Sequence, residues 1–419
     1  MPSAVRSLRA SDAESFIRQR CFPPADGGLV GIELEQLAVP FDRRGTVDHQ
    51  AVDGAARALG PLPGGSTVTF EPGGQVELSS PPRRGASASC ALATRDLGLL
   101  SAALGDSGVD LVAVGLAPRG RGARVLDTAR YRAMETYFDA AGPHGRTMMC
   151  ATAALQVNLD VGASGDQARR WHLAHQLGPV LVAAFANSPF TDGAPSGWRC
   201  GRAAVWSGID PSRTRSAHTA RTEGDEPAAA WTEYALAARV MMVRASDGTF
   251  RVQRSPLPFG RWIDEGHELG FPTLDDLDYH LGTLFPPVRP RGWLELRMVD
   301  AVPGPWWRVA VAVAATVLYD AGVAEAASPA LGASAHLWSE AARDGLAHPD
   351  LATAARACFS SVVEALPRLG ADAATTAATE EFYDRYVRRA RCPADDLLDE
   401  WRRHGEVQWP SPALEAAWI

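Results

Sequence analysis

Four short stretches of the chain alternate between apolar and polar positions. In Val30-Gly31-Ile32-Glu33-Leu34-Glu35-Gln36, Ile32 and Leu34 fall on one side of an extended backbone, and Glu33 and Glu35 on the other. Gln75 and Glu77 share a side in Gln75-Val76-Glu77-Leu78-Ser79; Gln156, Asn158 and Asp160 share one in Leu155-Gln156-Val157-Asn158-Leu159-Asp160; Glu295 and Arg297 share one in Trp293-Leu294-Glu295-Leu296-Arg297. This is the alternation of a half-covered antiparallel sheet. One pair of glutamates two apart is ordinarily a solvated strand face. Here four segments carry acids and amides instead of the usual Lys, Thr and Ser. The pattern predicts that they lie side by side and line one metal-rich cleft. Residues two apart stand roughly 6–7 Å from each other, and two carboxylates so fixed repel unless a cation sits between them. Hard oxygen donors of this kind suit Mg²⁺.

Between these strands the chain reads mostly as helix. The Ser11-Asp12-Ala13-Glu14 capping box predicts a helix to about Cys21, and Asp53 to Leu59 predicts a second. Thr67-Val68-Thr69-Phe70 is a strand, and Glu71-Pro72-Gly73-Gly74 turns it into the Gln75/Glu77 strand. Further helices are expected at 86–104, 128–140, 164–177, 178–186, 232–244 and 273–285, with strands at 109–116 and 249–252 and a break at Pro286–Pro290. An Ala/Val helix runs to Asp320, and from Ala333 onward the chain is helical and Ala-rich. With no βαβ rhythm and no repeat, the reading is α+β. It is a single catalytic domain over 1–419, with 330–419 a helical C-terminal extension packed on it.

Arg130, Tyr131 and Arg132 fall in the first turn of one helix, where anions are favoured. The stretch 191–228 is expected to be mostly loop, and its arginines suit an anionic ligand. His172 and His175 are three apart on a helix, but no third metal ligand stands near them in sequence.

Composition narrows the chemistry. The net charge of −8 argues against a nucleic-acid or anionic-membrane surface. The apolar runs are too short to span a bilayer and the start of the chain shows no signal core, so a cytoplasmic location is expected. Six scattered cysteines form no Cys-x-x-Cys pair and read as reduced thiols. All 41 basic residues are arginine. That excludes a P-loop or Schiff-base lysine. Any nucleotide must be held by arginine and metal.

The motifs Gly31-Ile32-Glu33-Leu34-Glu35, Glu71-Pro72-Gly73-Gly74-Gln75-Val76-Glu77-Leu78-Ser79, Gln156-Val157-Asn158-Leu159-Asp160, Phe185-Ala186-Asn187-Ser188-Pro189-Phe190 and Leu294-Glu295-Leu296-Arg297 resemble, in order and spacing, the glutamate–cysteine ligases of the plant and proteobacterial type. The likeness spans about residues 25–325. The Arg-only, Ala-rich composition is similar to the actinobacterial branch that feeds ergothioneine synthesis. The resemblance implies a glutamine-synthetase-like fold, a curved antiparallel sheet flanked by helices. It also implies the reaction: ATP phosphorylates the γ-carboxylate of L-glutamate, and the amine of L-cysteine displaces phosphate. It assigns Glu33, Glu35, Glu77 and Glu295 to two or more Mg²⁺ ions, and Arg297 to the transferring phosphoryl group. Glu71, Gln156, Asn158, Arg130, Arg213 and Arg202 become substrate contacts, with Trp206 in the same loop as Arg202. A related ligase with another amine acceptor, a metal-dependent phosphotransferase and a non-enzymatic metal- or nucleotide-binding module are the alternatives. Oligomeric state is left open.

Overall fold

The computed structural model describes residues 8–25, 27–41, 46–120, 122–218, 226–245, 248–268 and 270–407. Eight strands form the main sheet. They are β1 (Leu29–Pro40), β2 (Thr67–Phe70), β3 (Val76–Ser79), β4 (Arg83–Arg84), β5 (Val109–Val112), β6 (Ala154–Asp160), β7 (Val288–Pro290) and β8 (Trp293–Asp300). The order along the sheet is β7-β8-β6-β1-β3-β2, with β4 and β5 also pairing to β1. Every recorded pairing is antiparallel. The four alternating segments therefore do lie side by side, as β8, β6, β1 and β3.

The register puts their polar positions on one face. Glu33 stands opposite Gln156 and Ser79, Glu35 opposite Glu77, and Glu295 opposite Asn158. The other face is apolar. Ile32, Leu34, Val76, Leu78, Leu155, Val157, Leu159, Leu294 and Leu296 are all buried there. Each such side chain contributes about 1.5–3 kcal/mol relative to exposure, so register is fixed by burial: a one-residue slip would turn the leucines to the cavity and the acids into the core.

Helices Ala86–Gly105, Gln167–Ala184 and Trp306–Tyr319 pack on the apolar side. Trp306–Tyr319 is apolar apart from Arg308, Thr316 and the Tyr319 hydroxyl and almost wholly buried, because later helices cover its far side. No single described helix is long and apolar enough to cross a membrane; Trp306–Tyr319 and Ala321–Ser334 pass that test only as a pair, bent by 101°.

Several boundaries differ from the pattern. Gly178-Pro179 does not break the helix that Gln167–Ala184 forms. Packing holds this buried helix despite the proline, and Gly178 leaves room for Trp338, whose ring a Cβ would meet at 2.1 Å. The expected 232–244 helix is instead Pro227–Ala237, capped by Glu226, and Met242–Arg244 pairs with Phe250–Val252. At the first helix, Ala10–Cys21, Arg9 occupies the N-cap and its N–H donates to Asp12 Oδ2 at 3.1 Å, so Ser11 and Glu14 form no capping box. The 191–228 loop contains two short helices, Gly201–Ser207 and Pro211–Thr214. Pro286–Pro290 is not merely a break: Val288–Pro290 is the edge strand β7, where the N–H that Pro290 lacks is not missed.

Candidate functional site

The polar face of β8, β6, β1 and β3 forms the floor of a cavity of about 320 Å³. Glu33, Glu35, Glu71, Glu77, Gln156, Glu295 and Arg297 line it from the sheet side. Arg130 and Tyr131, from the first turn of Ala129–Asp139, and Arg202 and Trp206, from Gly201–Ser207, line it from above.

The turn before β3 is shaped by its glycines. Gly74 has φ 86, which suits glycine, and its N–H donates to Glu71 O at 2.8 Å. A Cβ on Gly73 would lie 2.3 Å from the carbonyl oxygen of Cys150, so the turn lies flush against that backbone. Gln75 donates to Met149 O and Thr152 O, tying the turn to the segment that leads into β6.

The carboxylates on β1 and β3 have neutral partners. Asn158 Nδ2 donates to Glu33 at 2.8 Å. Ala154 N–H and Gln156 Nε2 each donate to Glu35 at 2.8 Å. Ser79 Oγ donates to Glu77 at 2.7 Å. Burial, and then repulsion from Glu295 and Glu77, pushes the Glu33 carboxyl up to about 7. Burial and Glu77 raise Glu35. Burial, Glu35 and Glu77 raise Glu71 well above the ordinary range, and Glu71 stands within hydrogen-bonding reach of Glu77.

On β8 the charge balance reverses. Arg289 Nε donates to Glu295 Oε2 at 2.5 Å, Arg297 Nη1 approaches the same oxygen at 3.1 Å, and Arg291 Nη1 stands 3.5 Å from Oε1. Burial would raise Glu295, but Arg289 and Arg297 hold its carboxyl at about 2. Its Oε1 is buried without a hydrogen-bond donor.

Arg297 sits where the β8–β6 pairing slips by one residue between Leu296 and Val299. Such a bulge re-aims side chains. Here Arg297 donates to Gln156 Oε1 as well as to Glu295, and Arg202 Nη2 donates to the Arg297 carbonyl at 2.8 Å. A chain of contacts thus runs Glu35–Gln156–Arg297–Glu295–Arg289 across the floor.

Not every expected residue arrives. Arg213 lines no part of the cavity. It is fully buried, and its guanidinium donates to Asp210, Thr283 O, Arg239 O and Tyr137 OH, which makes it a frame clamp. Asn158 lies beside the cavity, between Glu33 and Trp293 Nε1. Arg289 was missed because prolines mask its strand; the hairpin glycine Gly292, with φ 91, was the available signal. Among the described residues, no three His, Cys, Asp or Glu groups are arranged to hold an ion as they stand. Glu35 and one oxygen of Glu295 are turned to other donors. The donor set still has the chemistry of a Mg²⁺ site: hard carboxylates crowded on a polar wall with raised pKa values, and an orphaned buried oxygen on Glu295.

A second cavity, of about 330 Å³, adjoins the first and shares Arg202, Trp206, Phe285 and Arg297 with it.

A family model described as glutamate-cysteine ligase family 2 matches residues 29–411. Glutamate–cysteine ligase EgtA of Mycobacterium tuberculosis is 40% identical over 410 residues, covering 95% of this chain and 92% of that protein. EgtA of Mycolicibacterium smegmatis is 41% identical over 402 residues, covering 94% and 92%. A crystal structure of glutamate–cysteine ligase from Francisella tularensis in complex with AMP matches with a TM-score of 0.51 at 14% identity, over 92% of this chain and 86% of that one. At that identity the likeness concerns the fold, and it agrees with the α+β, glutamine-synthetase-like architecture expected from the strands. The chain belongs to glutamate–cysteine ligase family 2.

Proposed function

We propose that this chain joins L-glutamate to L-cysteine through the γ-carboxylate, driven by ATP, with a γ-glutamyl phosphate between the two steps. The observation that carries the reading is an acidic wall and an arginine wall facing one cavity. Glu33, Glu35, Glu71 and Glu77 line it beside Arg297 on the sheet side, and Arg130 and Arg202 line it from the helices. Phosphates and amino-acid carboxylates suit the arginines. Glu33, Glu35, Glu77 and Oε1 of Glu295, which has no hydrogen-bond donor, would hold Mg²⁺, two or more ions, with Glu71 beside them. Bound there, Mg²⁺ supplies the charge neutralisation that lets an anionic nucleophile approach an anionic phosphate.

The chain's own groups do the positioning. A γ-carboxylate oxygen of glutamate attacks the γ-phosphorus, and the bond to the ADP oxygen breaks. The cysteine nitrogen then attacks the acyl carbon, phosphate leaves, and the amine loses a proton. Arg297 is the catalytic group: Gln156 and Glu295 fix its guanidinium where charge grows on the transferring phosphoryl group. With Arg213 committed to the frame, Arg130 and Arg202 remain to hold the glutamate α-carboxylate or the phosphates. Gln156 contacts substrate or a metal-bound water; Asn158 orients Glu33.

We place the product at the head of ergothioneine synthesis, which the EgtA relatives support. We also infer that residues 330–407, the described part of the expected 330–419 extension, belong to the catalytic unit. Supporting contacts are Arg199 N–H to Ala342 O at 3.0 Å and Arg199 Nε to Asp395 at 2.7 Å, beside the helix that carries Arg202, and Ala394 N–H to Ala186 O at 2.9 Å. Hydroxylamine trapping tests the reaction. With glutamate, ATP and Mg²⁺ the protein is expected to yield γ-glutamyl hydroxamate, and with cysteine γ-glutamylcysteine; ATP hydrolysis with neither product would overturn the reading.

A further inference from the structure

Asp300 ends β8, three residues after Arg297, and is 1% exposed. It lines neither cavity, yet it gathers three donors. Asn187 N–H donates to Oδ2 at 2.9 Å, Ser188 Oγ donates to Oδ2 at 2.6 Å, and Cys200 Sγ donates to Oδ1 at 3.2 Å. Ser188 Oγ in turn accepts the backbone N–H of Arg202 at 3.1 Å. Arg202 reaches back to β8, where its Nη2 meets the Arg297 carbonyl at 2.8 Å. The contacts close a ring: Arg297, Arg202, Ser188, Asp300, and along β8 to Arg297.

The surroundings are built for that carboxylate. A Cβ on Gly115 would fall 2.2 Å from Asp300 Cγ, so only glycine leaves it space. Gly115 N–H donates to Asn187 O at 3.1 Å, and Asn187 Nδ2 donates to Ala113 O and Ala301 O. A buried carboxylate is costly to desolvate and is retained where its donors fix one arrangement.

We propose that Asp300 is a positioning residue of the reaction: through Ser188 and Cys200 it seats the start of the Gly201–Ser207 helix, so that Arg202 braces the bulge that aims Arg297. This rests on the ligase reading for its assay. Asn at position 300 keeps the shape but turns one acceptor into a donor. With its oxygen kept toward Asn187 N–H and Ser188 Oγ, the new N–H faces the Cys200 thiol, which loses its acceptor, and the charge that strengthened the Ser188 bond is gone.

The test is a double-mutant cycle on kcat for γ-glutamyl hydroxamate, using Asp300→Asn, Arg202→Gln and the pair in the full-length protein. Asp300→Asn is expected to lower kcat on the order of 10²-fold, the size of a misplacement near 1 Å, with KM for ATP little changed. In the Arg202→Gln background it is expected to cost no further kcat. If Asp300→Asn fails to fold, Ser188→Ala cuts the Ser188 branch of the same ring without touching the carboxylate, and must show a loss in kcat with the same non-additivity. Multiplicative losses, or a folded variant with wild-type kcat, would overturn the proposal. A wild-type protein that makes neither hydroxamate nor γ-glutamylcysteine would instead overturn the ligase reading.

Discussion

The two halves of the sheet use the same residue type in opposite ways. On β1 and β3, Glu33, Glu35 and Glu77 meet amides, a backbone N–H and a hydroxyl, and burial followed by acidic crowding pushes Glu33 to about 7. On β8, Glu295 meets arginines and sits at about 2. The first half lacks positive charge in its own side chains; the second holds its positive charge in place. An active site that must handle a polyanion needs both. Carboxylates short of charge recruit a cation, and arginines stiffened by a carboxylate grip the phosphate without collapsing onto the acidic wall.

Substitutions should split along that line. Glu295→Gln leaves Arg289 and Arg297 buried without their counter-charge and should cost about 3–5 kcal/mol of stability, read by urea unfolding. Glu33→Gln removes a repelled carboxyl and should leave stability unchanged or raised; equal destabilisation by both variants would break the comparison. Next in size, Arg297→Met should lower kcat on the order of 10²–10³-fold, the loss typical for one oriented donor to a transition-state oxyanion, with the fold intact by circular dichroism. A kcat within twofold of wild type would remove Arg297 from the chemistry.

The pH dependence has a definite sign. The Glu33 carboxyl is raised from 4.5 in the unfolded chain to about 7. Across that window the folded protein keeps a proton that the unfolded chain releases. The resulting stability is complete below pH 4.5, declines as pH rises through the window, and is gone above about 7. Mg²⁺ competes with that proton. The rise in Tm on adding Mg²⁺ should therefore be least near pH ~5.5 and grow, on the order of a few °C, by pH ~8. A larger rise at the acid end would contradict the assignment. The smallest effect belongs to Asn158→Ala, which loses one partly buried hydrogen bond to Glu33 and should cost about 1 kcal/mol, checked by the same unfolding measurement.

Much of this was legible in the chain. Period-two alternation marked four strands, and their acids and amides marked the face that lines the cavity. Alternation carries no partner information, however, so the order β8-β6-β1-β3 came only with the fold. Burial is likewise silent in sequence. Arg213 lies in an arginine-rich stretch that reads as anion-binding, yet the frame consumes every branch of it. Arg289 hid behind Pro286, Pro287 and Pro290, which read as a break where an edge strand tolerates them. Gly201–Ser207 was too short to show helical periodicity, although it carries Arg202 and Trp206. Asp300 showed no local signal, because its partners lie about 100 residues and more away in sequence.

The central claim is that the carboxylates of β1 and β3 hold the cation that brings the nucleotide in. Calorimetric titration of ATP into the wild-type protein and into Glu33→Gln, each with and without Mg²⁺, tests it most directly. Tight ATP binding is predicted for the wild type only when Mg²⁺ is present, and Glu33→Gln should lose most of that Mg²⁺-dependent affinity while remaining folded. Equal ATP affinity in both proteins, or wild-type binding indifferent to Mg²⁺, would contradict the account.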